Sequence, residues 1–137
     1  GIGTISLPLA TISKKVIGIE LCQTSIDTAR INAQINNLSN IDFISGDVAI
    51  QLSNYLSRDH VLVLDPPRKG LNPEVINTII DRLPTKIFYL SCNPSTLSRD
   101  LKSLLRNNNY NIKTIQPVDF FPQTNHLEVL VILERII

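Results

Sequence analysis

Strand-like and helix-like stretches alternate along this 137-residue chain, and that alternation constrains its fold more than any other feature. KKVIGIE (14–20), IDFISGD (41–47), HVLVLDPPR (60–68) and KIFYLSC (86–92) carry the β-branched and aromatic residues of buried strands. Between them, 25–37, 72–83 and 94–108 read as helices. In the first of these, Ile26, Ala29, Ile31, Ala33 and Ile35 supply the apolar positions. Asn72-Pro73 and Asn93-Pro94 each place a capping side chain before a proline at the first helical position. Residues 4–12 read as a short helix that tolerates Pro8 only near its first turn. Such alternation implies βαβ units, a mostly parallel sheet and right-handed crossovers. The last two segments, YNIKTIQPVDFF and HLEVLVILERII, have no helix between them and are expected to pair antiparallel.

Composition narrows the class. The length suits one domain, 1–137, with an ordinary globular share of apolar residues (43%) and of charged ones (18%). No apolar run approaches the ~18–20 residues of a membrane helix. A net charge of +1 gives no basic footprint, so any grip on RNA is expected from sequence elsewhere. Cys22 and Cys92 have no metal-ligand spacing, so no metal site is expected and a reducing cytoplasm is the default. The chain opens on a glycine loop, GIGT, that normally follows a strand. It is therefore expected to be cut from a longer parent and to lack its first strand.

In open sheets of this kind ligands sit at the carboxyl ends of the strands. Gly1, Gly3, Glu20, Asp47, Asp65 and Cys92 all fall at such ends. Ser6 stands where a dinucleotide loop wants its third glycine, which disfavours a nicotinamide. Glu20 lies seventeen residues past Gly3, near where an acid would take both hydroxyls of a ribose. Asp47 has two readings, a contact to an adenine amino group or a cap for the helix after it. A glycine loop and acids on two successive strand ends make S-adenosylmethionine the leading ligand. The arrangement resembles the Rossmann-like, three-layer α/β sandwich of class I methyltransferases, with its antiparallel last strand.

Cys92 lies just before a helix N-terminus, whose unpaired N–H groups favour thiolate over thiol. A nucleophile and a packed thiol both fit it. DPPRKG (65–70) reads as a rigid loop whose prolines lack N–H donors, so that its carbonyls and Asp65 point toward a ligand. Arg68 and Lys69 suit either phosphate or water. Glu128 opens an apolar strand, where a carboxylate is either a poised base or a strand-opening residue facing water. Cys22 is read as packing or as an incidental surface thiol.

GIGTISLPLA, DPPRKG, YLSCNPSTLSRDL and DFFPQTNHLEVLVIL together resemble the RNA (uracil-5-)-methyltransferase family, as its C-terminal catalytic domain. The resemblance implies Cys92 as nucleophile and Glu128 as general base. It places Gly1, Gly3, Thr4, Glu20, Asp47 and Asp65 around S-adenosylmethionine. It further implies a ribosomal or transfer RNA substrate gripped by upstream domains, so the segment alone is expected to be inactive. Family members often carry Asn at the place of Asp47. An RNA cytosine-5 methyltransferase is the nearest rival, although such enzymes carry a cysteine where Arg68 stands. A non-catalytic nucleotide- or RNA-binding domain of the same fold is the other.

Overall fold

The chain divides into two units, Gly1–Tyr55 and Leu56–Ile137. The computed structural model describes residues 1–120, 122–124 and 126–136, so Phe121 and Asn125 of the closing motif lie outside the described residues.

The first unit runs α1 (Ser6–Ala10), β1 (Val16–Glu20), α2 (Gln23–Ile35), β2 (Ile41–Ser45) and α3 (Val48–Tyr55). β1 and β2 pair in parallel from Val16↔Ile41 to Glu20↔Ser45, with α2 as the crossover. The core gathers Ala10 of α1, Ile26, Ala29 and Ala33 of α2, and Ile41 and Phe43 of β2. Ile31 and Ile35, expected to be apolar packing positions of α2, are instead 56% and 71% exposed. Helical phase explains it. At 100° per residue 26, 29 and 33 share one stripe, and 35 lies on the opposite side. α3 is a helix that the alternation read above leaves out, with only Leu52 buried.

The second unit runs β3 (Val61–Leu64), α4 (Pro73–Arg82), β4 (Lys86–Ser91), α5 (Pro94–Leu104), β5 (Tyr110–Val118) and β6 (Glu128–Arg135). Strands therefore hydrogen-bond in two sheets, one per unit, rather than in one; the second has the order β3-β4-β6-β5. β3 and β4 are parallel, whereas β6 runs antiparallel to both of its neighbours, as expected for the last strand. Both Asn-Pro helix starts form as expected: Asn72 Oδ1 accepts from Glu74 N at 3.4 Å, and Asn93 Oδ1 from Ser95 N at 3.1 Å.

Side chains alternate across β4 and β6, and that alternation sets the core. Ile87, Tyr89 and Ser91 are buried and face Leu133, Val131 and Val129, which are buried too. Phe88 and Leu90, half-buried, face Ile132 and Leu130 on the other side. No helix among the described residues is long and apolar enough to cross a membrane.

Candidate active site

In the first unit Glu20 ends β1 and Asp47 follows β2. Glu20 closes β1 opposite Ser45, and its carbonyl accepts from Gly46 N at 3.0 Å. Its carboxylate accepts from Cys22 N, at 2.9 Å, through Oε1. The Cys22 N–H bond favours the charged form of this carboxyl. A charged strand-end carboxylate suits two ribose hydroxyls, and in that respect the site fits an adenosine-bearing cofactor.

The glycines divide. Gly3 is buried with φ +96°, and a Cβ there would lie 3.1 Å from the Leu7 side chain, so its own packing demands glycine. A Cβ on Gly1 would meet nothing within 4 Å. Thr4 is exposed in the turn between them and α1. Asn32, which the sequence reading missed, donates from Nδ2 to the Ile2 carbonyl at 3.1 Å and fastens the loop to α2. Asp47 takes up its capping role: Oδ1 accepts from Ala49 N at 2.9 Å at the start of α3. Cys22, exposed at the N-cap of α2, has its thiol lowered to about 7 by bonds from Thr24 and Ser25.

In the second unit Asp65 and Cys92 directly follow the parallel strands β3 and β4 and so share one end of that pair. Asp65 is exposed and Cys92 is half-buried and free. The antiparallel register of β4 on β6 ends at Ser91↔Val129. Continued past its last pair, that register would bring Cys92, in the bend after β4, opposite Glu128, the half-buried first residue of β6. Residues opposite one another in such a pair face the same side, with Cβ atoms about 5 Å apart in regular geometry. Sequence places the thiol and the carboxylate each at a strand end, one residue beyond the last registered pair.

The loop at 65–71 departs from expectation in one respect. Its carbonyls at Arg68 and Lys69 do not face a ligand but are tied to α5. Arg68 O accepts from Asn93 Nδ2 and from Thr96 Oγ1, both at 3.1 Å, and Lys69 O accepts from Arg99 Nη2 at 2.9 Å. The prolines preceding them have no N–H that could compete with these donors for the carbonyls. Arg68 and Lys69 are themselves exposed. A cavity of about 450 Å³ opens beyond the loop between Lys69, Arg99 and the start of α4; Asp65, Cys92 and Glu128 do not line it.

The sequence profile of tRNA (uracil-5-)-methyltransferases matches residues 46–136, two-thirds of the chain, a span that contains DPPRKG, YLSCNPSTLSRDL and DFFPQTNHLEVLVIL. The chain belongs to this family. An uncharacterized RNA methyltransferase of Prochlorococcus marinus is 50% identical over 99% of the chain, which covers 32% of that protein. One from Synechocystis is 47% identical over 99% of the chain and 29% of its own length. Among solved structures, the Pyrococcus abyssi tRNA (uracil-54, C5)-methyltransferase, in complex with S-adenosyl-L-homocysteine, superposes with a TM-score of 0.82. It is 33% identical, over 97% of this chain and 32% of its own. An rRNA methylase from Streptococcus thermophilus, 19% identical, covers 100% of this chain and 82% of its own with a TM-score of 0.77 and shares the fold. The fold of this family member is thus the class I methyltransferase α/β architecture, and the chain spans about a third of the length of its family relatives.

Proposed function

We propose that the chain is the catalytic part of an S-adenosylmethionine-dependent enzyme that methylates C5 of uracil in ribosomal or transfer RNA. The β4–β6 register supports this reading, because its last pair, Ser91↔Val129, leaves the thiol of Cys92 and the carboxylate of Glu128 as the next residue on each strand. Free cysteines suit work in the cytoplasm.

Uracil C5 is too weak a nucleophile to take a methyl group unaided. In this reading the Cys92 thiolate adds to C6, and the C5–C6 π pair moves toward the C4 carbonyl as an enolate. C5, now electron-rich, attacks the methyl carbon. Bound S-adenosylmethionine supplies that methyl group as a sulfonium, with Gly1, Gly3, Thr4, Glu20, Asp47 and Asp65 assigned to hold it. Glu128 then removes the C5 proton. The C5–C6 double bond reforms as the S–C6 bond breaks and Cys92 leaves as thiolate. Arg68, standing where amine methyltransferases place a stacking aromatic and cytosine-5 enzymes a cysteine, favours uracil. The target base must leave its stack to meet the thiol.

RNA carrying 5-fluorouridine tests the proposal, since fluorine at C5 cannot leave as a proton. The full-length protein, given S-adenosylmethionine, is expected to form an adduct stable to denaturing gels, and Cys92→Ala to form none. No adduct with the wild-type protein, or one that survives Cys92→Ala, overturns the assignment.

A further inference from the structure

Asp100 is a fully buried carboxylate, and the mechanism above does not use it. Burying such a charge is costly unless its oxygens are fully engaged. Here they are. Oδ2 accepts from Leu71 N and from the Tyr89 hydroxyl, each at 2.7 Å. Oδ1 accepts from Arg99 Nε at 2.9 Å and Nη2 at 2.8 Å. These donors come from three places: the end of the 65–71 loop, the strand β4 three residues before Cys92, and the helix that follows Cys92. Gly70 seats the loop against the carboxylate so closely that a Cβ there would lie 2.6 Å from Oδ2. Asn93 and Thr96, on the same helix start, hold Arg68 O from the other side. The Tyr89 hydroxyl, pushed up by burial and then by Asp100, keeps its proton and stays a donor.

The geometry points to Asp100 as a positioning residue that locks the 65–71 loop, with Asp65 and Arg68, in register with Cys92. This rests on the proposed role of Cys92 and deepens it: the loop and the nucleophile are set as one piece before RNA arrives. Misplacement of reacting groups by about 1 Å costs up to about 100-fold in rate, so the lock acts on the chemical step rather than on affinity. Asp100→Asn keeps the shape but turns one acceptor into an N–H₂ that faces either Arg99 or the Leu71 and Tyr89 donors.

The full-length Asp100→Asn protein is expected to form the 5-fluorouridine adduct about 10- to 100-fold more slowly at saturating RNA and cofactor. Its RNA dissociation constant stays within twofold of wild type, and its Leu71 amide exchanges with deuterium at least tenfold faster. Tyr89→Phe, which removes one donor and adds no new one, gives a smaller slowing of about 3- to 10-fold and decides the matter if Asp100→Asn does not fold. A wild-type adduct rate in a folded Asp100→Asn or in Tyr89→Phe overturns the proposal. So does unchanged exchange at Leu71, or a loss confined to RNA affinity. Absence of any adduct in the wild-type protein strikes the proposed function instead, and the exchange measurement still tells the two failures apart.

Discussion

Replacing Gly70 with alanine is the sharpest single test of how the 65–71 loop is held. The residue has φ +80°, where an L side chain costs about 1–2 kcal/mol. The new Cβ would also lie 2.6 Å from Asp100 Oδ2, 2.6 Å from Arg99 Nη2 and 3.1 Å from Thr96 Cβ. Arg99 is half-exposed and can swing aside, at the expense of its bond to Lys69 O. Asp100 cannot, because it is wholly buried and held at 2.7 Å by both Tyr89 and Leu71. Backing the oxygen or the loop away to ordinary contact breaks at least one of those bonds, worth about 1.5–3 kcal/mol to a charged group. The reduced freedom of the unfolded chain returns about 0.4–1 kcal/mol. The balance is a destabilisation of about 2–4 kcal/mol. Urea unfolding of the full-length protein, followed by circular dichroism, should show it as a lower midpoint at unchanged slope. Gly1→Ala, whose Cβ meets nothing, is expected to change stability by less than about 0.5 kcal/mol. A cost at Gly70 below about 1 kcal/mol would refute the reasoning, because the carboxylate would then have had room to yield.

Three further outcomes are expected. Glu128→Gln should stall the enzyme on natural RNA after methyl transfer, accumulating a Cys92-linked methylated adduct on denaturing gels that wild type does not build up. Cys22 should alkylate with a midpoint near pH 7, and Thr24→Val should move that midpoint upward; peptide mass mapping separates it from Cys92. High pH should unfold the second unit. Burial pushes the Tyr110 hydroxyl up to about 12, and burial and Asp100 push Tyr89 higher, so the folded state holds protons that the unfolded chain loses from about pH 10. Stability therefore falls as pH rises above about 10, by about 2 kcal/mol at pH 12 from Tyr110 alone, and Tyr110→Phe should flatten that fall in a denaturation series.

What could be read from the sequence, and what could not, follows the range of the interactions. Both Asn-Pro helix starts are local, and each forms the capping bond that its residues dictate. Strand types are local patterns too, and the antiparallel final strand follows from the missing crossover helix. Apolar content misleads in α2, where Ile31 and Ile35 are as hydrophobic as Ile26 but out of phase with it. α3 shows no clear apolar periodicity, yet the capping reading of Asp47 already implies a helix there, and Asp47 Oδ1 accepts from Ala49 N at its start. Asn93 was legible by half: Oδ1 caps its own helix, while Nδ2 reaches Arg68 O, 25 residues back, which no local pattern reveals.

Asp100 gives the most instructive case, because a signal was present. In PSTLSRDLKSL the buried positions are Leu97, Asp100 and Leu104, spaced three and four apart, so an acid stands in the apolar stripe of an amphipathic helix. A charge in that phase must find donors or the helix cannot dock, and the only question is where they come from. The chain answers with Tyr89, eleven residues back, and Leu71 N, twenty-nine back. Both donors flank the two segments that carry Asp65, Arg68 and Cys92. The proposed meeting of Cys92 and Glu128 has the same character. Each residue is visible at its own strand end, but the register that ends at Ser91↔Val129 and leaves them next in line is not local. A two-residue slip of β6 would leave every buried face buried and still part the thiol from the carboxylate. The proposed chemistry at this site therefore depends on register to the residue.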